Sequence, residues 1–565
     1  MKKIIYIFLL SMLAFNITSC DESKWLKEKP MDIYTPENSY NTAVQFRQAL
    51  NFLYNNYREF RWNSDEDLRC TLYVGDIAHG GYDYPDLKYN NYSGWITATT
   101  YIPSDVWNYF YKIIGNANQI IYQLGVADQI SEDEKKTIKG EAQFFRALAY
   151  NYLANLYGGV PLNLEPVAEP KRDFVRATRE EVYNQCRIDL EESALLLGDI
   201  SEVKDGMLNK QAALHLLTEV NVSLGRYQDA INTASQVIDH PDIALMTERF
   251  GSRANEPGDV YWDLFRVGNQ NRATSINRES IWVLQYEYQN AGSSYPCQLG
   301  RQLIPGYWSA SVEKKDGSGN VPAFTTWTAE KGGRGIGSIQ PTNYFFNELW
   351  GADFDNDIRN SAVNIIRDFR IDNPEAKGFG EWIVKDGWLK ESDKIRIIFP
   401  AIQKFSRTNN YPEESYRKNA DGSQMLTALG EHALLNSGTL SCGSYKDEYA
   451  MRLAETYLLR AEAYLGAGLK DKAADDINTI RKRAHATPVD PSDVDIDYIL
   501  DERMRELYFE EIRIFTTARL GKTVERAKKY NPTAYNMGAH QNLWPIPYGE
   551  IEKNIFSKIE QNPGY

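Results

Sequence analysis

The feature that most restricts the fold of this chain is a helix–turn–helix unit that occurs twice. From Lys210 to Pro241 two helical stretches meet at Leu224-Gly225-Arg226-Tyr227, with Ala230, Ile231 and Ala234 following and Pro241 as the stop. From Met451 to Ala484 the pattern returns: Ala461 and Tyr464 precede Gly468, and Ala473, Ile477 and Ile480 follow it. A glycine turn, a nearby tyrosine, alanines where helices cross and a terminal proline make up the tetratricopeptide pattern. One such pair cannot bury its own apolar face and has to stack on other helices. The simpler alternative is a set of unrelated helical hairpins.

Further helices are predicted around these units. Thr42–Phe60 carries Phe46, Ala49, Leu50 and Leu53 at helical steps. Val106–Leu124 is a second helix, and Glu132–Tyr157 a third, closed by Gly158-Gly159 and Pro161. Thr178, with Glu181 three residues on, opens a fourth through a capping box. Ser252–Asn360 and Lys377–Asn436 differ in kind: they hold short β-like runs (Ser280–Tyr288, Ile395–Phe405), glycine-rich stretches and many aromatics. Loops of that length are uncommon unless functional or disordered, and aromatic content argues against disorder. The fold class is therefore mostly α. A tetratricopeptide-like helical-repeat scaffold covers about 40–250 and 445–530, and an irregular, loop-rich lobe with short β-strands covers about 252–440, plus the loop 62–105.

The N-terminus sets the compartment. Lys2 and Lys3 precede the apolar run Ile4–Phe15, which is shorter than the ~20 residues a membrane-spanning helix needs and reads as an export signal. Ile17-Thr18-Ser19-Cys20 matches a bacterial lipobox. Residues 1–19 are then a lipoprotein signal peptide, Cys20 is the lipidated first residue, and 20–565 form a single unit. Several acyl chains hold a protein on a membrane far more firmly than one. Asp21 and Glu22 follow at once, as acidic residues do in some outer-surface lipoproteins. The formal charge of −14 becomes more negative once Lys2 and Lys3 are gone, which disfavours a nucleic-acid partner, since phosphate binding needs a cationic footprint. Cys70, Cys186, Cys297 and Cys442 are scattered without a disulfide-framework spacing. An oxidising compartment tolerates pairing, but free buried thiols are the expected state.

No recognisable catalytic constellation is present, so the chain is expected not to be an enzyme and to use no cofactor or metal. The histidines never pair at zinc spacing and no Cys-x-x-Cys occurs. Asp353-Phe-Asp355-Asn-Asp357 begins like a calcium loop, but Ile358 stands where glycine is required and Asn364 where a bidentate glutamate belongs, so it reads as a solvated acidic turn. Gly332–Gly337 lacks the Lys-Ser/Thr of a phosphate loop and reads as a flexible hinge. Ser201–Lys204 and Ser311–Lys314 match Ser-x-x-Lys without its companion motifs.

Four ordered stretches resemble the SusD/RagB family of outer-membrane nutrient-binding lipoproteins. Gly140–Tyr150 running into Leu156-Tyr157-Gly158-Gly159-Val160-Pro161-Leu162 is similar to the family's long helix and its exit. Leu453–Tyr464 is similar to its late repeat helix, and Glu502–Glu510 with Arg513 to its charged helix. Trp544-Pro-Ile-Pro547 and Gln561-Asn-Pro-Gly-Tyr565 are similar to its ending. Glu511-Ile512-Arg513 departs from the usual Gly-His-Arg, and Thr516-Thr517 stands where Phe-Asp-Leu is common. The charged helix reads as structural, with pairs at three- and four-residue spacing. The resemblance implies a role: holding glycan, or in some relatives peptide, at the cell surface over a SusC-like TonB-dependent transporter. It does not name the ligand.

Sugar rings present apolar C–H faces, so their sites combine flat aromatics with a few polar groups. Two loop segments qualify. Asp76–Trp95 carries Asp76, Tyr82, Tyr84, Tyr89, Asn91, Tyr92 and Trp95; Tyr286–Trp308 carries Tyr288, Tyr295, Arg301, Tyr307 and Trp308. In the family these regions form an aromatic binding arc, and Asp76 falls where a ligand-bonding carboxylate occurs. Taken singly, each aromatic is more often loop packing than a ligand platform. Met425–Ser441 is a third, weaker candidate. The competing readings are a peptide-binding relative, a tetratricopeptide adaptor without small ligand, and an anchored glycoside hydrolase.

Overall fold

A computed structural model describes residues 39–565 apart from 64–65, 82–89, 168, 289, 291–296, 391–395 and 436–442. Cys20 and the signal segment lie outside the described residues. The fold is mostly helical, as the periodicity requires. Helix α1 spans Ala43–Arg58, and Thr42 and Gln45 cap it reciprocally, which fixes its start. Helix α2 spans Tyr101–Val126. It begins ahead of the predicted Val106 because Pro103 sits in its first turn, where a missing N–H costs nothing. Helix α3 (Glu132–Tyr157) has the Ser131/Glu134 capping box and ends at Gly158, φ +75°. Helix α4 (Arg179–Leu196) opens at the Thr178/Glu181 box.

The two repeat units form as hairpins. Helices α5 (Lys210–Ser223) and α6 (Tyr227–Ile238) turn at Gly225, φ +68°. Helices α7 (Leu453–Gly466) and α8 (Lys470–Arg483) turn at Gly468, φ +77°. Although far apart in sequence, the hairpins stack: Val222, Ala230 and Ile231 pack on Ala463, and a Cβ on Gly466 would lie 2.3 Å from the Tyr227 ring. Helix α9 follows at Ile496–Glu506.

The lobe between the repeats is built from short antiparallel pairs. Strand Ser280–Leu284 pairs with Glu448–Arg452, which runs directly into α7 and staples the lobe to the repeats. Ala78–Gly80 pairs with Ile339–Pro341, Ser311–Glu313 with Asn320–Pro322, and Ile365–Ile366 with Ala401–Ile402. The lobe has a small core of its own around Tyr307, Phe324 and Phe369.

Three expectations are corrected here. The acidic run at 353–357 is not a solvated turn: Asp357 pairs with Arg359 at 2.6 Å and Asp353 with Arg481 at 2.7 Å, and all four are buried. The glycine hexad at 332–337 is not a hinge but a packed crossing, where a Cβ on Gly335 would lie 2.1 Å from the Pro305 carbonyl oxygen. The charged helix α9 is structural, yet its pairs mostly reach other elements instead of its own next turn. Arg359 pairs with Glu502 and Glu506, Arg452 with Glu279, Glu506 and Glu510, and Arg483 with Glu279 and Glu506. Burial pushes the Glu502 and Glu506 carboxyls up, but the surrounding arginines outweigh it and hold both well below the usual range. Buried charges are tolerated only when paired and hydrogen-bonded in this way. Cys186 and Cys297 are free and buried, Cys70 is buried, and Cys442 lies outside the described residues.

Candidate functional site

Several chain segments approach one another around Gly81, Gly306, Gly337 and Arg396. Gly81, where the first candidate loop leaves, donates to Ser338 O at 3.0 Å, and Asn90, where it returns, accepts from Gly80 N at 2.7 Å. A side chain at Gly81 would collide with Gly337 O, so this approach requires glycine. Arg396 O accepts from Gly306 N at 2.8 Å, which brings the segment after 391–395 to the same place. Cys297 and Ser444 bridge each other. The short helix Leu299–Leu303 and the turn Tyr307–Ser309 sit among these bases.

Some candidate residues face this locus. Trp308 is half-buried, and its indole Nε1 donates to Gly335 O at 2.8 Å. The Arg334 guanidinium carbon lies 5.5 Å from the Trp308 ring and 5.2 Å from the Trp327 ring, placing a cation against two indoles. Arg301 is half-buried; its Nη1 donates to Gln298 at 3.2 Å, while its buried Nε has no partner among the described residues. On the other flank Asn91 caps the helical turn Tyr92–Trp95, accepting from Gly94 N at 3.2 Å and from Asn536 Nδ2 at 2.8 Å. Trp95 is half-buried and meets the exposed Tyr101 edge to face at 5.8 Å. Tyr82, Tyr84 and Tyr295 lie outside the described residues.

Two candidates are corrected. Asp76 is 2% exposed and points inward, to Arg513 at 2.8 Å and Arg526 at 2.7 Å. Burial raises its carboxyl, but the two guanidinium groups outweigh that and hold it at about 2. Tyr307 is fully buried: its ring stacks on Phe369 at 5.3 Å and its hydroxyl donates to Gly333 O at 2.9 Å. Neither side chain is offered to a ligand. Arg334 was missed; the only local signal was the glycine-rich stretch around it, which marks close backbone packing, while Trp327 beside it is buried in a small core with Tyr411, Tyr416 and Leu434. In the third candidate stretch Met425 and Leu426 are exposed on the outer hairpin of the lobe. No group of three metal-ligating side chains occurs among the described residues.

Half-buried indoles with a guanidinium and amides beside them suit a ligand with apolar faces and polar edges. The fold is a mostly helical scaffold with an irregular lobe of short strands that carries partly buried aromatic side chains. The chain belongs to the SusD family, whose model matches residues 278–565, and a second model, described as starch-binding associating with outer membrane, matches residues 24–221. SusD-like protein P2 of Formosa agariphila is 25% identical over the whole of both chains. SusD-like protein P25 of the same organism is 26% identical over 53% of this chain, a match that spans only 54% of that relative. The starch-binding protein SusD of Bacteroides thetaiotaomicron is 36% identical over 20% of this chain and 21% of its own length. Among solved structures, a laminarin-binding SusD-like protein superposes with a TM-score of 0.64 at 21% identity, covering 93% of this chain and all of that one. A SusD homologue from Bacteroides thetaiotaomicron gives 0.67 at 19% identity, covering 94% and 98%.

Proposed function

We propose that this chain is a cell-surface glycan-binding lipoprotein that captures oligosaccharides without cleaving them and passes them to a SusC-like TonB-dependent transporter. The observation that supports it is the close approach of Gly81 to Ser338 and of Gly306 to Arg396, near which Trp308 packs against the Arg334 guanidinium. Relatives whose names record starch or laminarin binding support glycan as the ligand class. The lipobox at Cys20 supports membrane anchoring. A tethered protein meets a barrel in the same membrane at high effective concentration, so a moderate interface suffices for a lasting complex. The test is native affinity electrophoresis in gels containing soluble polysaccharides, with chain length followed in parallel. Retardation by at least one glycan, with no new reducing ends, is the expected result. Steady release of reducing ends by a pure preparation would make the protein a hydrolase instead.

A further inference from the structure

A second concave feature lies beyond the locus described above. Helix α1 exposes Gln48, Asn51 and Asn55 along one edge of a groove of about 530 Å³, within the ~300–1,000 Å³ range of small-molecule sites. The turn Asp205-Gly206-Met207 and the residue Gln285, just past the strand Ser280–Leu284, form the facing wall, and the half-buried rings of Phe52 and Tyr54 supply aromatic surface. Gly206 has φ +84°, and a Cβ there would meet the Gln285 side chain at 2.7 Å, so glycine at the turn is what lets that amide lie against it.

The charged groups of the groove are already engaged. Asp205 accepts from the backbone N–H groups of Arg272 and Ala273 at 3.0 and 2.9 Å. Arg58 donates to Gln285 O at 3.1 Å and to Asn55 Oδ1 at 2.6 Å, and lies over the Tyr286 ring at 5.3 Å. An anion would need that guanidinium free, and a cation that carboxylate. What the groove offers is neutral: primary amides, which both donate and accept, beside aromatic carbon. That combination suits vicinal hydroxyls and C–H faces, the chemistry of a neutral sugar. Gln285 and Tyr286 follow the strand Ser280–Leu284 directly, so the groove begins at the end of that strand.

We infer that the groove along α1 is an accessory subsite for long neutral glycans, extending the loop-base site. The inference rests on the glycan-binding reading. Two linked subsites on one chain raise avidity for a polymer without altering binding of a fragment that fills only one. The variants are Gln48→Ala/Asn51→Ala, which removes two exposed amides, and Asn51→Trp, which fills the groove. Calorimetric titration with laminarin and amylose, against laminaribiose and maltose, reads the effect. For the polymer that the wild type binds, the double alanine variant should lose about tenfold in affinity, and Asn51→Trp should lose at least as much. Binding of the matching disaccharide and the melting temperature should not change. Wild-type polymer affinity in both variants would overturn the groove while leaving the glycan reading intact. A wild type that binds no glycan of any length would instead overturn the glycan reading, and the groove with it. Loss of binding to an unstructured peptide, with polymer affinity kept, would reassign the groove to peptide.

Discussion

Asp76 shows how far a single residue can be read from sequence. An acidic residue beside a tyrosine-rich loop looked like a ligand contact, yet its partner Arg526 stands 450 positions away, and no local pattern reveals such a pair. Tyr307 and Trp308 make the same point as neighbours: one ring is fully buried in the lobe's core, the other half-exposed at the loop bases. Sequence located the segment, and packing decided which ring faces out. Asp76→Ala is expected to destabilise the fold by about 3–5 kcal/mol in urea denaturation, because it leaves Arg513 and Arg526 buried without their carboxylate. The acid dependence has a definite sign. The folded carboxyl titrates at about 2, below the unfolded value of about 3.9. The stabilisation is therefore fully present above about pH 4 and is lost as pH falls towards 2. A fully stable Asp76→Ala variant that has lost glycan binding would return the residue to the ligand.

At the scale of elements, the helices were legible wherever caps and glycine turns marked their ends. The Ser131/Glu134 and Thr178/Glu181 boxes and the turns at Gly225 and Gly468 are all local chemistry. The short lobe strands were only partly legible: Ser280–Leu284 has its partner beyond residue 440, and only Ala401–Ile402 of the second predicted run is paired. The buried arginine–glutamate array was misread because periodicity reports neighbours on one helix and is silent about Arg359, Arg452 and Arg483 arriving from elsewhere. The exit of α3 offers a clean test. A Cβ on Gly159 would lie 2.0 Å from Ala177 O, a backbone atom that cannot swing away. Gly159→Ala should therefore cost about 1–3 kcal/mol, the usual range for overpacking, seen as a lower melting temperature. An unchanged melting temperature would mean that the 159–177 contact is slack.

For the whole molecule, the repeats, the lobe and the loop-base site form one scaffold, and no helix among the described residues is long and apolar enough to cross a membrane. The proposed membrane attachment is through Cys20. Cys20→Ala should move the protein from the membrane fraction to the soluble extracytoplasmic fraction and abolish its co-purification with a large outer-membrane barrel. Retention of the variant in the membrane would contradict the lipid anchor. Calorimetric binding of residues 21–565 to a polysaccharide panel, wild type against Trp95→Ala/Trp308→Ala, tests whether these aromatics hold a glycan. Each lost stacking contact is worth about 0.5–1.5 kcal/mol beyond buried area, so the double variant should bind its glycan at least about tenfold more weakly at a temperature where both proteins are fully folded. Equal binding by the two proteins, or a wild type that binds no glycan in the panel, would contradict the account.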